Sequence, residues 1–446
     1  MIHKSETTFI TDRQTLEDLN LLGKYKTGSL FNLFNRVKTR GGELLLESMF
    51  RSPLTSSAAI NERSEKIRYL QSLPVVLDIE WDRTEDASQY LTERRPSNKL
   101  SSYFGCYREK AQEVLYRSDK FRLQQKNIHA IQETLFSASQ LLGALIRSEK
   151  SGNPLKASQE RLAKILNAEE LKQIKAKYPY TVGQTAHLQF LFLNKYRHEI
   201  DELLHLLYEL DVYLSVADTA RNKSFIYAEA LEENTEDVTL LSVSNLKHPS
   251  LHGAVGNPLS LTQKQNLLFL TGANMAGKST WMKTLGVSFY LAHMGFPVAA
   301  SSMRFRVMEG IFTSINVPDN ISIGWSHFYA EVMRVKQVSQ EVGSGKRLFI
   351  LFDELFKGTN VKDAYDATLA VTQRLARYSN CAFVISTHII EVGDALKEIP
   401  SIQFKYMPTV MEGAVPTYTY RLTDGITEDR QGMIIIDNEG IFEMLE

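Results

Sequence analysis

The stretch Leu267-Leu-Phe-Leu-Thr-Gly-Ala-Asn-Met-Ala-Gly-Lys-Ser-Thr-Trp-Met-Lys-Thr284 decides how the second half of this chain folds. Its apolar start predicts a buried strand, and the residues after the second glycine predict a helix. A glycine turn without function, between a core strand and a helix, is the alternative. The motif G-x-x-x-x-G-K-[ST] favours a phosphate-binding loop, because all four fixed places are filled, by Gly272, Gly277, Lys278 and Ser279.

This loop is expected to bind the phosphates of a nucleotide. Glycine lets the loop fold tightly enough for backbone N–H groups to converge on phosphate oxygens, and the following helix presents its positive end to them. Lys278 is expected to reach the β- and γ-phosphates, and Ser279 to bind Mg²⁺. The predicted nucleotide-binding residues of the loop are Gly272, Ala273, Asn274, Met275, Ala276, Gly277, Lys278, Ser279 and Thr280.

Strands and helices alternate after the loop, which predicts a mostly parallel sheet between layers of helices. Two further segments, Ser401 to Tyr406 and Thr417 to Leu422, are expected to close the sheet as an antiparallel pair. The alternating elements are a strand over Gly310 to Ile315, a helix over Phe328 to Glu341, a strand over Leu348 to Phe352, a helix over Lys362 to Tyr378 and a strand over Ala382 to Ser386.

Polar residues follow two of these strands. Asp353 and Glu354 end the apolar strand from Leu348, and parallel strands deliver their carboxyl ends to the edge that carries the phosphate loop. Asp353 is suited to binding Mg²⁺, and Glu354 to deprotonating the attacking water. Two acids that merely cap a loop are the alternative, which the intact phosphate loop disfavours. His388 follows the next strand and is expected near the γ-phosphate, although a lone histidine is usually structural.

The first half of the chain is predicted to be helical. Apolar residues recur every three or four positions from Phe190 to Ala220, and a helix over Asp201 to Ala220 would be about 30 Å long. It is either a rigid strut or an ordinary core helix.

The boundary between two domains is expected near the acidic loop at 232–237. Residues 1–230 are therefore predicted to form a helical domain, and residues 231–446 a nucleotide-binding domain. Within 75–190 no chemical motif is found; the basic run from Arg108 to Lys126 is a phosphate-contacting face or, more commonly, a solvated helix surface.

Composition excludes several classes of protein. The chain has 51 Lys+Arg against 52 Asp+Glu, a net charge of −1, so no global basic field attracts nucleic acid. Its two cysteines, Cys106 and Cys381, cannot form a disulfide framework and suit a reducing cytoplasm. The apolar stretch from Leu285 to Ala300 is too short to span a bilayer. We expect a cytoplasmic protein without a membrane partner.

The motifs resemble those of a known family. The stretches Thr271 to Thr280, Asp353 to Asn360 and Ser386 to His388 look like the ATPase domain of MutS, the DNA mismatch-repair ATPases related to ABC transporters. The segment from Pro318 to Glu331 is similar to the family's signature segment, which implies that Ser326 contacts the γ-phosphate of ATP in the opposing subunit. Ser29 to Arg63 resembles the start of the MutS core domain, and Leu203 to Ala220 its lever helix.

The resemblance implies a multidomain fold, α and α/β, in which a helical core and lever domain precedes an ABC-like P-loop NTPase domain. It further implies a Mg²⁺-dependent ATPase that uses ATP, binds DNA as an ATP-switched clamp and forms a homodimer with composite ATP sites. No separate clamp is found within 75–190. Direct mismatch recognition is not expected, because the family's mismatch-reading and connector domains are not found.

The sequence also departs from the family pattern. Ala276 replaces a glycine of the loop, Trp325 replaces a basic signature residue, and His248 to Leu259 contains no aromatic residue to stack on adenine. No dimerisation extension follows Gly432-Met433, which weakens the expectation of a dimer. Two alternatives therefore stay open: an ATPase that switches a protein or ribonucleoprotein assembly without binding DNA, and a nucleotide-binding scaffold without turnover.

Overall fold

The computed structural model describes residues 8–23, 28–94, 96–232, 238–273, 275–315, 327–412, 415–427 and 444. The chain forms two compact units. The first, here called the sheet unit, comprises Met1–Leu33, Ser52–Ser64 and Lys223–Glu446. The second, the helical unit, comprises Phe34–Arg51 and Glu65–Asn222.

Helices account for nearly all regular structure before residue 224. In chain order they are α1 (Arg13–Asp18), α2 (Leu30–Phe34), α3 (Arg40–Arg51), α4 (Ser57–Gln71), α5 (Trp81–Thr92), α6 (Lys99–Tyr116), α7 (Lys120–Arg147), α8 (Lys156–Leu166), α9 (Glu169–Lys172), α10 (Val182–Phe190) and α11 (Arg197–Lys223). One turn of π-helix, Leu191–Lys195, separates α10 from α11. No helix within the described ranges is both long and apolar enough to cross a membrane.

Helix α11 is the central element of the helical unit, and it confirms the helix expected over Asp201 to Ala220. The pattern read from Phe190 onward is not one helix, since the π-helical turn interrupts it. The buried Asp211 carboxylate accepts hydrogen bonds from the Thr39 hydroxyl at 2.6 Å and the Lys38 amide at 2.9 Å. These bonds fix the start of α3 to α11.

The sheet unit contains fourteen described strands and four further helices. They are β1 (Ile226–Tyr227), β2 (Glu229–Leu231), β3 (Thr239–Leu246), β4 (Asn257–Thr262), β5 (Leu267–Gly272), α12 (Lys278–His293), β6 (Pro297–Val298), β7 (Ser302–Arg306), β8 (Gly310–Ser314), α13 (His327–Gly343), β9 (Leu348–Asp353), α14 (Val361–Leu375), β10 (Ala382–Ser386), α15 (Ile390–Leu396), β11 (Ile402–Met407), β12 (Thr409–Glu412), β13 (Val415–Tyr418) and β14 (Thr423–Asp424).

The main sheet has six strands in the order β14-β11-β5-β10-β9-β8. The five strands from β11 to β8 are parallel, and β14 runs antiparallel to β11. Every residue of β5 and β10 is buried, which explains their continuous apolar runs. One sheet face packs on α13, α14 and α15 through residues such as Val338, Leu375 and Val392. The predicted mixture of helical and α/β parts is therefore confirmed.

The expected closing pair is correct only in part, because the antiparallel partner of Lys405 and Tyr406 at the end of the sheet is Thr423–Asp424 and not Thr417 to Leu422. Ile402 to Met407 pairs in parallel with β5, from Ile402 beside Leu267 to Met407 beside Gly272. The segment predicted as its partner instead contributes β13, which pairs with β12. The physical reason is burial: adding a strand beside β5 covers the edge of the strand that precedes the phosphate loop.

The compact units also divide the chain differently from the expected boundary between 1–230 and 231–446. Residues near the N-terminus belong to the sheet unit because they bond to β8. Ile10 forms a bridge beside Gly310. The buried Asp18 carboxylate accepts hydrogen bonds from the Thr313 hydroxyl at 2.7 Å and the Ile315 amide at 2.9 Å. The sheet edge at β8 is thus covered by a segment from the start of the chain.

Candidate functional site

The loop between β5 and α12 turns at two glycines with positive φ. Gly272 has φ 143° and Gly277 φ 101°, a region that glycine enters without steric cost. A Cβ at Gly272 would lie 3.1 Å from the Met407 carbonyl oxygen, and a Cβ at Gly277 2.9 Å from the Tyr420 ring. Both glycines are therefore required by conformation and by space. Asn274 lies outside the described residues, and Met275, at φ 70°, is exposed.

Lys278 closes onto this loop. Its Nζ donates to the carbonyl oxygens of Gly272 at 2.7 Å and Ala273 at 3.0 Å. An ammonium carries three N–H donors, so one remains for an anion at the loop. Burial lowers the pKa of this ammonium, while the nearby Glu354 and Asp353 carboxylates act in the opposite direction. Ser279 and Thr280 follow in the first turn of α12, with exposed side chains.

The carboxyl ends of β5, β9 and β10 meet at one edge of the sheet. Asp353 stands beside Ser386 across the parallel pair, and the Ser386 hydroxyl donates a short hydrogen bond to Asp353 Oδ1. The Glu354 amide donates to the Ser386 carbonyl oxygen at 3.0 Å. His388 lies two residues beyond the end of β10 and is exposed. Asp353 is thus the last residue of β9, Glu354 follows it, and His388 follows the adjacent strand β10.

Glu354 adopts an unusual backbone conformation. Its φ is 53°, in the left-handed region, and Phe356 has φ 62°. Such conformations in residues with a Cβ cost on the order of 1–3 kcal/mol and cluster at functional sites. Lys357 Nζ lies 3.7 Å from Glu354 Oε2. The turn after β9 therefore holds this carboxylate at the sheet edge at an energetic cost.

Helix α13, which begins within the segment from Pro318 to Glu331, contacts the same turn. The buried Glu331 of α13 accepts a hydrogen bond from the Gly358 amide at 3.3 Å through Oε2. Ser326 itself, with the segment 316–326, lies outside the described residues. The structure consequently leaves the expected role of Ser326 as a prediction.

A cavity that the sequence analysis missed adjoins the phosphate loop. It encloses about 320 Å³ and reaches from Gly277 and Thr280 to Tyr420. The Asn257 side chain holds this tyrosine: its Nδ2 donates to the Tyr420 carbonyl oxygen at 2.9 Å, and its Oδ1 accepts from the Leu422 amide at 2.8 Å. The other lining residues are Leu246, His248, Leu251, His252, Gly253, Ala254, Val255, Asn257, Trp281, Thr284 and Met407.

One aromatic residue of this cavity, Tyr420, lies far along the chain from the segment His248 to Leu259. Local sequence around His248 to Leu259 gave no signal, because the ring comes from a residue that follows Asn257 by 163 positions. Burial and the nearby Lys283 ammonium lower the pKa of His248, which favours its neutral form in the cavity wall. A flat aromatic base is of a size and polarity that this space can accept.

The residues at this edge suit a nucleoside triphosphate with a divalent cation. The loop offers backbone donors and one ammonium, and Ser279 and Asp353 offer the oxygen ligands that Mg²⁺ prefers. Among the described residues, no group of three or more His, Cys, Asp or Glu side chains could hold a metal ion by itself. Mg²⁺ is usually bound by one or two side chains together with substrate phosphates, so the donor set fits.

Comparison with known proteins identifies related sequences along most of the chain. The model of MutS domain V matches residues 268–444, and the model of MutS domain III matches residues 14–217. The chain is 26% identical over 250 residues to a protein named DNA mismatch repair protein MutS from Petrotoga mobilis, which covers 54% of the chain and 30% of that relative.

Two more relatives carry the same name. The protein from Lactococcus lactis subsp. cremoris is 24% identical, with 73% of the chain and 37% of the relative covered. The one from a Thermotoga species is 22% identical, with 97% of the chain and 64% of the relative covered. The chain thus spans about a third of the length of the first two relatives. Since the two domain models match most of its residues, the chain belongs to the MutS family.

Proposed function

We propose that this chain is a Mg²⁺-dependent ATPase of the ABC-like MutS type whose nucleotide state controls its grip on DNA. One observation carries the ATPase part: Lys278, whose Nζ bonds the loop carbonyls after β5, lies at the same edge of the parallel sheet as Asp353, which ends β9, and Glu354, which follows it. The names of the relatives support DNA as the partner. Direct reading of mismatches is not part of the proposal.

In this proposal the loop from Gly272 to Thr280 holds the phosphates. Its backbone amides, including those of Ala273, Asn274, Met275 and Ala276, donate to phosphate oxygens, and the positive end of α12 favours their charge. Lys278 donates its remaining N–H to a β- or γ-phosphate oxygen. The base occupies the cavity beside Tyr420, and the Asn257 clamp keeps that ring in place.

Hydrolysis is assigned to residues at the sheet edge. Glu354 orients the attacking water and accepts its proton, and His388 donates to the γ-phosphate. Ser279 and Asp353 would hold Mg²⁺, which when bound neutralises charge on the phosphates. The Ser386 hydroxyl keeps Asp353 Oδ1 in position. Lys357, near Glu354, limits the directions in which that carboxylate turns.

Two further parts of the proposal concern assembly. Ser326 is assigned to the γ-phosphate of ATP bound by a second copy, so that a homodimer has composite sites. ATP binding then draws the copies together, and hydrolysis resets the separation of their helical units. We place the protein in the cytoplasm, without a membrane partner.

Tyr420→Ala is expected to weaken ATP binding about fivefold, because stacking adds about 0.5–1.5 kcal/mol beyond the area buried. Tyr420→Phe keeps the ring and should bind as the wild type does. Titration with a fluorescent ATP analogue measures the affinity. Tyr418→Ala is the matched control, because the centroid of the Tyr418 ring lies 6.3 Å from that of Tyr420. Equal affinity in the wild type and Tyr420→Ala would place the base elsewhere.

The test of the whole proposal is ATP turnover with and without duplex, branched and single-stranded DNA, at low and moderate salt. We expect at least one DNA form to change the turnover rate, and added salt to reduce that effect, since phosphate contacts release counterions. The mass in solution should double with ATP present. Turnover that is indifferent to every DNA form would retain the ATPase and reject DNA in favour of a protein or ribonucleoprotein partner.

A further inference from the structure

A basic loop in the helical unit has no role in the proposal above. It runs from Lys172, the last residue of α9, through Lys175 and Lys177 to Tyr178. All four side chains are exposed. Within the described part of the chain, none of the three lysines has an ion-pair partner. Glu169, at the start of α9, also has no ion-pair partner among the described residues.

The other acidic groups nearby are already neutralised. Glu170 forms a close ion pair with Lys195, and Glu133 pairs with Arg83 at 2.8 Å. The run from Arg108 to Lys126 contrasts with the basic loop. There, Lys110 and Arg122 both bind Glu113 at 2.8 and 2.7 Å, and Lys126 binds Asp86 at 2.7 Å. The basic loop differs from these paired residues in that all three of its lysines are exposed and, among the described residues, none has an ion-pair partner.

Tyr178 gives the basic loop an aromatic surface. Its ring stacks on His129 of α7, with centroids 4.7 Å apart and planes 15° from parallel. Half of the residue, 50%, is still exposed to solvent. One face of the ring is thus supported by the imidazole, and the rest of the side chain is accessible to a flat group such as a base.

Hydrogen bonds to α7 hold the basic loop in this arrangement. Gln132 Nε2 donates to the Ala176 carbonyl oxygen at 3.0 Å, and the Tyr180 hydroxyl donates to Gln132 Oε1 at 2.6 Å. Gln125 Nε2 donates to the Tyr180 carbonyl oxygen at 2.5 Å. Because the backbone is fixed before a ligand arrives, little entropy remains to be lost on binding.

A cavity of about 380 Å³, with polar and apolar walls, adjoins the basic loop. Lys175 lines it together with the amide side chains of Gln173 and Gln184 and the imidazole of His187. Its remaining walls include Glu170, whose charge Lys195 neutralises. The cavity therefore offers hydrogen-bond donors beside a lysine, which suits a phosphate or the edge of a base.

We propose that the basic loop binds single-stranded nucleic acid, with the three lysines on phosphates and an unpaired base stacked on Tyr178. Ammonium groups that follow a backbone, combined with an aromatic platform, are the chemistry by which proteins bind single strands without reading sequence. A duplex keeps its bases stacked on one another and cannot use the platform. The inference rests on the proposed function in one respect: the proposed nucleic-acid partner would bind at the basic loop.

The test uses the full chain without nucleotide, so that its result does not depend on ATP turnover. Fluorescence anisotropy measures the affinity for labelled oligothymidylate, oligouridylate and a DNA duplex between about 50 and 200 mM salt. We expect both single strands to bind more tightly than the duplex. Tyr178→Ala should weaken single-strand binding about tenfold, and Tyr178→Phe should not.

Replacing Lys172, Lys175 and Lys177 together by glutamine should reduce the magnitude of the salt slope by about 2, at roughly 0.7 for each phosphate contact. Tyr116→Ala, at 77% exposure, is the control for the tyrosine. Glutamine at Lys99, Lys264 and Lys336 is the control for charge. Equal losses in variants and controls, an unchanged slope, or preference for the duplex would overturn the inference. If DNA stimulates ATP turnover but these binding tests fail, the proposed function is retained and only the present inference is rejected.

Discussion

Glu354→Gln is expected to reduce ATP turnover by at least about a hundredfold while ATP affinity is retained, because general-base catalysis contributes about 10²–10⁴ to such rates. The amide has the shape of the carboxylate but cannot accept the proton of the attacking water. The backbone that presents it does not depend on its charge, since the residue is held by its own amide, 3.0 Å from the Ser386 carbonyl oxygen.

Single-turnover hydrolysis and equilibrium binding of ATP separate the two parts of this prediction. Glu341→Gln is the matched control: this glutamate of α13 pairs with Lys346 at 2.5 Å and has no place at the sheet edge. Its variant should hydrolyse ATP as the wild type does. Unchanged turnover in Glu354→Gln would assign the base to another group and would leave the left-handed backbone at Glu354 without a catalytic explanation.

The elements that were predicted well have a strong local signal. The strand over Ala382 to Ser386 is confirmed with the same bounds, and the strand from Leu348 extends one residue further, to Asp353. Strands buried on both faces consist of continuous apolar runs, and the glycines of the phosphate loop mark where the chain must turn. Each of these signals lies within a few consecutive residues of the sequence.

The features that were missed depend on residues far apart in the chain. Nothing near Tyr420 indicates that Asn257 will hold it, and the strand order that puts Ile402 beside Leu267 is not encoded in either strand alone. The covering of β8 by Ile10 and Asp18 is of the same kind. Periodicity identifies which face of an element is buried, but the partner that buries it is chosen by tertiary packing.

A contact between residues even further apart in the chain, Arg334 and Asp12, is the basis of the second large prediction. Arg334 of α13 is almost fully buried, with 4% of its side chain exposed, and forms a close ion pair with Asp12. Its Nε also donates to the Thr313 carbonyl oxygen at 3.1 Å, and the guanidinium lies 5.6 Å from the centre of the Phe312 ring. One side chain thus links α13, β8 and the segment before α1.

Arg334→Leu is expected to lower the free energy of unfolding of the sheet unit by about 3–5 kcal/mol, because it leaves the Asp12 carboxylate partly buried without its cation. Urea denaturation of the intact chain, followed by fluorescence, measures the change in midpoint. Arg304→Leu removes the same charge from an exposed pair with Glu229, at 3.0 Å, and should cost less than about 1 kcal/mol. Equal costs for the two substitutions would contradict the importance of burial.

The pH dependence identifies the pair as the cause. Burial raises the pKa of Asp12, but the hydrogen bonds and charge of Arg334 and the hydrogen bonds of Thr15 lower it by a larger amount. The pKa of Asp12 therefore lies below the ordinary 3.8. A carboxyl whose folded pKa is lowered stabilises the protein above its unfolded pKa and loses that contribution as the pH falls through the folded value. The difference in stability between the wild type and Asp12→Asn should therefore be constant near neutral pH and shrink below about pH 4. A difference that persisted in acid would assign the effect to packing.

Since α13 begins directly after the segment that holds Ser326, loss of this pair should also reduce ATP turnover under conditions where the chain stays folded.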